Sequence, residues 1–244
     1  MSALLAGGAL LVAVPVLCFA YAYAGYPAVL WLLTRGRRAG NGVGTGAGRS
    51  EDEPEFDWPS ISISLPAFNE AASIGGTLDR LLALDYPDHR RQIVVVSDAS
   101  TDGTDEIVRG YADRGVELVR LVGRRGKTGA EEAAIPHLTG DIVVNTDATI
   151  SIPAESLKPL VRAFADPTVG VASGRDVSVS SRDAESNRPE SGYVGYEMWV
   201  RSLETRFGSI VGASGCFYAI RRHLHRPEFP DSLSRDFASC IIAR

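Results

Sequence analysis

The stretch QIVVVSDASTDGT, residues 92–104, decides the fold. Gln92 to Val96 is a continuous apolar, β-branched run, as expected for a strand buried on both faces of a parallel sheet. A polar turn, Ser97 to Gly103, follows at once, and Thr104 to Arg114 has helical spacing. The same order recurs on both sides. Ser60 to Leu65 reads as a short strand stopped by Pro66, and Ala71 to Leu84 as a helix with Leu78, Leu81 and Leu82 on one face. Val116 to Leu121 is a strand, Thr128 to Leu138 a helix, Asp141 to Asn145 a buried strand, Ala154 to Ala165 a helix and Val169 to Ala172 a short strand. This alternation predicts an α/β domain with a mainly parallel sheet covered by helices on both sides. Farther on, Ser180 to Glu190 reads as a polar, mobile loop, Tyr193 to Phe207 as an amphipathic helix and Cys216 to Ile220 as a strand.

The N-terminal end differs in kind. No charged side chain occurs from Ala3 to Thr34. A bilayer core of about 30 Å needs roughly 20 apolar residues, so this segment is long enough to span. It ends at Arg35, Arg37 and Arg38, each costing about 3 kcal/mol at the bilayer centre and little beside it. A cleaved signal would want a positive charge ahead of the apolar run, and Met1-Ser2-Ala3 has none. Tyr21, Tyr23, Tyr26 and Trp31 suit an interfacial belt, and Pro15 and Pro27 are expected to divide the segment into a span and a short interfacial piece. The arginines place the rest of the chain on the cytoplasmic side. The sequence thus divides into a transmembrane anchor (1–35), a Gly-rich then acidic linker (36–57) and a globular domain from Trp58 onward (58–244).

Of the 244 residues 45% are hydrophobic and 23% charged, ordinary for a globular protein with an apolar appendage. The net charge of −5 speaks against nucleic acid as a partner, because phosphate binding wants a basic surface. Cys18, Cys216 and Cys240 make neither a disulfide framework nor a metal-ligand spacing, which agrees with a reducing compartment.

In an open α/β sheet, ligands bind beyond the carboxyl ends of the strands. Four polar loops are expected there: Pro66-Ala67-Phe68-Asn69-Glu70, Ser97 to Thr104, Gly123 to Thr128, and Thr146-Asp147-Ala148-Thr149. Gly126-Lys127-Thr128 invites a P-loop reading, but that motif needs glycine five residues before the Gly-Lys pair, where Leu121 stands. Lys127 reads equally as a point charge for a diphosphate or as a solvated surface lysine. Asp98 and Asp147 each have a plain role open to them as turn or capping residues, and for Asp102 that role is preferred, with Thr104 capping the next helix.

The strand-Pro-Ala-Phe-Asn-Glu opening, Asp98-Ala-Ser-Thr-Asp-Gly-Thr, Gly126-Lys127 and the GDIVVNTD run ending at Asp147 resemble family 2 glycosyltransferases, inverting enzymes of the GT-A fold. The resemblance runs from Ser60 to the end. It implies that Pro66, Asn69 and Glu70 line a nucleotide pocket, that Asp98 contacts the base (uracil), and that Lys127 lies near the diphosphate. It also implies that Asp147 holds a divalent cation, Mg2+ or Mn2+. The family's second Asp of that motif is Thr149 here, a weaker ligand, which puts strict metal dependence in question. Gly212-Ala213-Ser214-Gly215 looks like the family's small-residue loop beside the acceptor, or else a packing turn. Asp236 stands where the family keeps its catalytic base, although Arg235 replaces its acidic neighbour.

The function implied is transfer of a sugar from a UDP-sugar to a polysaccharide or lipid-linked acceptor at the cytoplasmic face of the cell membrane. Thr149 and Arg235 also favour a second reading, a non-catalytic, membrane-tethered nucleotide-sugar-binding subunit. A soluble nucleotidyltransferase is a poorer match, since a Gly-rich loop would be expected where Pro66 to Asn69 stands. Processive relatives continue into a Gln-x-x-Arg-Trp motif and further membrane helices. Gln92, inside a strand, is the chain's one glutamine, so the domain is expected to be incomplete at its C-terminus.

Overall fold

The computed structural model describes residues 2–36, 56–175, 188–226 and 233–243. Arg37, Arg38, nearly all of the linker and most of the expected 180–190 loop lie outside these residues. Two compact units are formed, one from Met1–Gly40 with Val177–Ile210, the other from Asn41–Asp176 with Val211–Arg244.

In the first unit, helix α1 (Ser2–Ala20) runs into α2 (Tyr26–Thr34) through a single π-turn, Tyr21–Gly25. Pro15 does not end α1. Pro27 follows directly on the π-turn, which closes with the Tyr26 N–H donating to Tyr21 O. A proline has no N–H for the carbonyl one turn back, and the wider turn absorbs that mismatch. The expected division at the prolines therefore does not occur. Leu11–Thr34, 24 residues with mean hydropathy 1.6, is long and apolar enough to cross a membrane. Helix α7 (Arg188–Phe207) begins inside the stretch expected to be a loop and packs on α2. Tyr26 Oη donates to Glu204 at 2.7 Å, and Tyr196 Oη to Tyr23 O at 2.8 Å.

The second unit is the expected α/β domain. Its strands are β1 (Ile61–Ala67), β2 (Arg91–Ser97), β3 (Val116–Arg120), β4 (Ile142–Thr146), β5 (Val171–Ser173) and β6 (Phe217–Arg221), in the order β3-β2-β1-β4-β6-β5. The first four are parallel, whereas β6 runs antiparallel to β4 and β5. The chain winds outward from β1 through β2 to β3, then returns to lay β4 on the other side of β1. Ligands of open α/β sheets bind in the crevice at such a reversal. Helices α3 (Ile74–Leu82), α4 (Thr104–Arg109), α5 (Gly126–Ala134), α6 (Leu157–Arg162) and α8 (Arg235–Ile242) complete the unit. The expected helices at 104–114, 128–138 and 154–165 are shorter, because their ends tighten into 3-10 turns.

Pro66 lies within β1 rather than ending it, in register with Val96. The pairing of β1 with β4 stops at Ser64, so the proline falls where only one neighbour remains to be hydrogen-bonded. Ile61, Ile63 and Leu65 of β1, with Leu78 and Leu81 of α3 and Ile93 and Val95 of β2, lie in one buried cluster. Each such side chain contributes about 1.5–3 kcal/mol by leaving water. The intervening Ser62 and Ser64 are also fully buried. Ser62 Oγ donates to Gln92 and accepts the Thr139 and Gly140 N–H groups, at 3.1 and 2.8 Å.

At Gly140 the backbone approaches so closely that a Cβ would stand 2.4 Å from Ile61 C and 2.5 Å from Ser62 N. Backbone atoms cannot yield as a side-chain tip can. Gly140→Ala is therefore expected to destabilise the domain by about 1–3 kcal/mol, read as a drop in melting temperature of the detergent-solubilised chain. An unchanged melting temperature would mean that β4 shifts without cost.

Candidate active site

The loops after β1 and β2 are laced together by side chains from the second. Asn69 takes a left-handed backbone, φ 55°, and its N–H donates to Ser100 Oγ at 3.1 Å. Its Oδ1 accepts the Thr101 N–H at 2.8 Å. The Glu70 N–H donates to Thr104 Oγ1 and the Ala71 N–H to Asp102 Oδ2, both at 2.9 Å. Asp102 Oδ1 also accepts the Thr104 N–H at 3.1 Å. Asp102 rather than Thr104 thus supplies the oxygen at the start of α4. The Thr104 hydroxyl and the Ala71 amide hold the Asp102 carboxyl below the usual carboxylate range. Sequence reading gave Asp102 a local turn; its reach to the first loop comes from β1 and β2 being neighbours.

Asp98 is buried, and each carboxylate oxygen accepts one backbone amide from the start of α5: Oδ1 from Arg125 at 2.6 Å, Oδ2 from Gly126 at 2.8 Å. A carboxylate at a helix N-terminus meets both unpaired amides and the positive end of the helix dipole. Ala99 beside it has φ 59° and Gly126 has φ 77°, left-handed conformations that aim the two segments at each other. Asp98 is thus a clamp on α5 from within the sheet. Over the same mouth, the Arg124 guanidinium stacks 3.9 Å from the Phe68 ring centroid. Glu70 Oε2 accepts from Ser73 Oγ at 2.6 Å, and Pro66 is half-buried one residue before the end of β1.

The clamp fixes where Lys127 points. Its Nζ lies 2.6 Å from Asp147 Oδ1 and donates to Gly215 O at 2.8 Å. Burial alone would lower the Lys127 pKa, but the hydrogen bond and charge of Asp147 outweigh it and hold the ammonium above its ordinary value. With 47% and 24% of the side chains exposed, the pair is worth under about 1 kcal/mol. Asp147 follows β4, and its turn is held by Thr77 Oγ1 donating to Ala148 O at 2.7 Å.

Gly215 belongs to the Gly212 to Gly215 loop, which is both a packing turn and part of this site. Ala213 and Ser214 are buried, and Ser214 Oγ accepts the Cys216 and Phe217 N–H groups. A Cβ at Gly215 would lie in van der Waals contact with Asp236, 3.6 Å from Oδ2, so this loop passes directly beside that carboxylate. Asp236 is in the first turn of α8 and half-buried. Asp98, Lys127, Asp147 and Asp236 are therefore gathered around the first turn of α5.

Arg235 does not simply remove a charge from this region. It is buried, its Nη1 donates to Arg226 O at 3.0 Å, and it faces two acids of α5. Its Nε lies 4.0 Å from Glu131 Oε2 and its Nη2 3.5 Å from Glu132 Oε1. Burial raises the Glu131 pKa to about 7, against the opposing charges of Lys127 and Arg235. Nothing in the sequence pattern singles out Glu131; only the tertiary contact with Arg235 of α8 reveals its partner.

Among the described residues, no group of three His, Cys, Asp or Glu could hold a metal ion. Thr149 is exposed. Among the described residues Asp147 is a hard ligand at this edge of the sheet. That fits Mg2+ or Mn2+, which are often held by one or two carboxylates together with substrate phosphates and water.

The profile of glycosyl transferase family 2 matches residues 62–227. An N-acetylglucosaminyltransferase of Rhizobium sp. (strain N33) is 29% identical over 174 residues, covering 68% of this chain and 38% of the relative. A beta-monoglucosyldiacylglycerol synthase of Synechocystis sp. is 34% identical over 117 residues, covering 46% of this chain and 24% of the relative. The chain thus spans well under half the length of either protein. Among solved structures, a mannosyltransferase from Pyrobaculum calidifontis in complex with GDP-Man and Mn2+ superposes with a TM-score of 0.66 at 28% identity, covering 91% of this chain and 60% of that one. The GT-A architecture expected from the loop motifs is shared with that structure. With a match spanning most of the chain, and with the family's motif residues converging on one sheet edge, this chain belongs to glycosyl transferase family 2.

Proposed function

We propose that this chain carries the donor site and catalytic base of an inverting glycosyltransferase, taking a sugar from a UDP-sugar to a polysaccharide or lipid-linked acceptor at the cytoplasmic face of a membrane. The observation that carries this reading is the meeting of Lys127, Asp147 and Asp236 around Gly215 at the crevice between β1 and β4. The Mn2+ and GDP-Man of the Pyrobaculum calidifontis mannosyltransferase support a nucleotide-sugar donor and a divalent cation. The sugar-transferase names of the two relatives support transfer to a glycan or a lipid. The apolar Leu11–Thr34 segment, followed by Arg35, supports a membrane anchor with the domain in the cytoplasm.

In this reading Pro66, Asn69, Glu70 and Asp98 border the nucleotide, and Lys127 neutralises the diphosphate. Asp147 is the residue that would hold Mg2+ or Mn2+, which supplies charge stabilisation to the departing diphosphate. Asp236 accepts the proton of the acceptor hydroxyl. The new bond joins that oxygen to the anomeric carbon, and the bond from that carbon to the diphosphate breaks. Inversion follows because attack and departure occur on opposite faces.

Calorimetric titration of UDP and of GDP, each with and without Mn2+, tests the donor. UDP is expected to bind more tightly than GDP and to gain affinity from Mn2+; absence of binding by a folded chain would overturn the reading. Asp236→Asn is expected to cut transfer by about 100- to 10,000-fold while leaving the UDP dissociation constant within about twofold, because the base acts only in the chemical step. A large change in UDP affinity would instead assign Asp236 to donor binding. Asp98→Ala is expected to weaken UDP binding by about 1–3 kcal/mol, the cost of unpaired polar groups. An unchanged dissociation constant would remove Asp98 from the pocket.

A further inference from the structure

We infer that Lys127 is a resident counter-cation for Asp147, and that a divalent cation gains this carboxylate only when a nucleoside diphosphate draws the ammonium away. The inference rests on the donor-site reading above and adds the order in which the site fills. The ammonium stands 2.6 Å from Asp147 Oδ1, on the one carboxylate that would hold the metal ion in this reading. It is steadied there by a second hydrogen bond, to Gly215 O at 2.8 Å. An ammonium and a divalent cation on one carboxylate oxygen repel each other strongly at that range. Glu131 also acts on Lys127 and Asp236 lies close to Glu131, but among the described residues no group of three such side chains is arranged to hold a metal ion, and Thr149 contributes no charge.

A diphosphate changes the balance. It brings negative charge for the ammonium to pair with and oxygens for the cation to share. Lysine is suited to the exchange: a point charge on a flexible four-carbon stem, with three donors of which Asp147 and Gly215 use two. The pair is half-exposed, hence weak enough to be released. The helix that carries Lys127 stays in place during the exchange, because its first amides are held by Asp98. The coupling is reciprocal: whatever factor UDP adds to cation affinity, the cation adds to UDP affinity.

The test is Mn2+ binding, followed by the spin-resonance signal of free Mn2+, with the full chain in detergent and with UDP as the probe. The unsubstituted chain is expected to bind Mn2+ weakly alone and at least about tenfold more tightly with saturating UDP. Lys127→Ala is expected to bind Mn2+ alone roughly tenfold more tightly than the unsubstituted chain, with the added effect of UDP reduced. Lys127→Gln, which keeps a donor for Gly215 O, is expected to behave the same way and guards against a local collapse in the alanine variant. Adding Asp147→Asn to either variant is expected to abolish the gain. If both Lys127 variants leave Mn2+ affinity unchanged while UDP still tightens Mn2+ in the unsubstituted chain, the exchange is wrong and the donor site stands. If UDP binds with neither condition in the unsubstituted chain, the donor-site reading fails and takes the exchange with it.

Discussion

A buried carboxylate that receives the first two amides of a helix is a stiff joint between sheet and helix. Asp98 makes that joint between the end of β2 and the start of α5. Helix α5 then presents two residues of one face, four apart, to different parts of the site: Lys127 to Asp147 and Gly215, and Glu131 to Arg235. If the start of α5 turned by even a fraction of a residue, Lys127 would leave Asp147 and the acids of α5 would lose Arg235. Asp98 therefore sets the position of charges that it does not itself touch, and any contact it makes to a nucleotide would report on the same helix.

The loops after β1 and β2 work as one unit for a related reason. Their backbones turn through left-handed positions at Asn69 and Ala99, which non-glycine residues hold only when their surroundings over-determine them. Here the surroundings are the hydrogen bonds that the successive Asn69, Glu70 and Ala71 amides donate to the side-chain oxygens of Ser100, Thr104 and Asp102. Loops tied together in this way are ordered before any ligand arrives, which lowers the ordering cost of binding. The charges deeper in the site follow a different plan. Lys127 and Asp147 are half-exposed and loosely paired, whereas Arg235 and Glu131 are buried. The buried arginine faces the acids of α5 from the first turn of α8, beside Asp236, whereas the exposed pair is the one whose partners a ligand exchanges.

Much of the fold was legible in residues 60–172. The apolar runs of β2 and β4 are strands because only a sheet buried on both faces suits them, and the alternation with helical spacing required parallel pairing. What failed was local punctuation. By sequence Pro66 is a stop, yet β1 continues through it because its neighbour β4 has already ended. By sequence Pro15 and Pro27 are breaks in the N-terminal helix, yet one π-turn accommodates Pro27 and α1 runs through Pro15. In each case the cost of a proline depends on whether a partner is waiting for its missing N–H.

The candidate residues Pro66, Asn69, Glu70, Asp98, Lys127, Asp147 and Asp236 were all visible as polar or turn-forming positions after strands or before a helix, and parallel strands carry the loops that follow them to one edge. The sequence by itself therefore determined the class of fold, the apolar N-terminal segment and the edge where ligands would meet the sheet, because these depend on periodicity and hydrophobicity along the chain. Tertiary structure alone decided that Asp98 clamps α5, that Lys127 sits on Asp147, that the Gly215 loop passes beside Asp236, and that Arg235 faces Glu131 rather than merely interrupting an acidic pair. Those pairings join residues 20 to 104 positions apart, and no local pattern encodes which of many equivalent charges will be brought together; the sheet order β3-β2-β1-β4-β6-β5 does that.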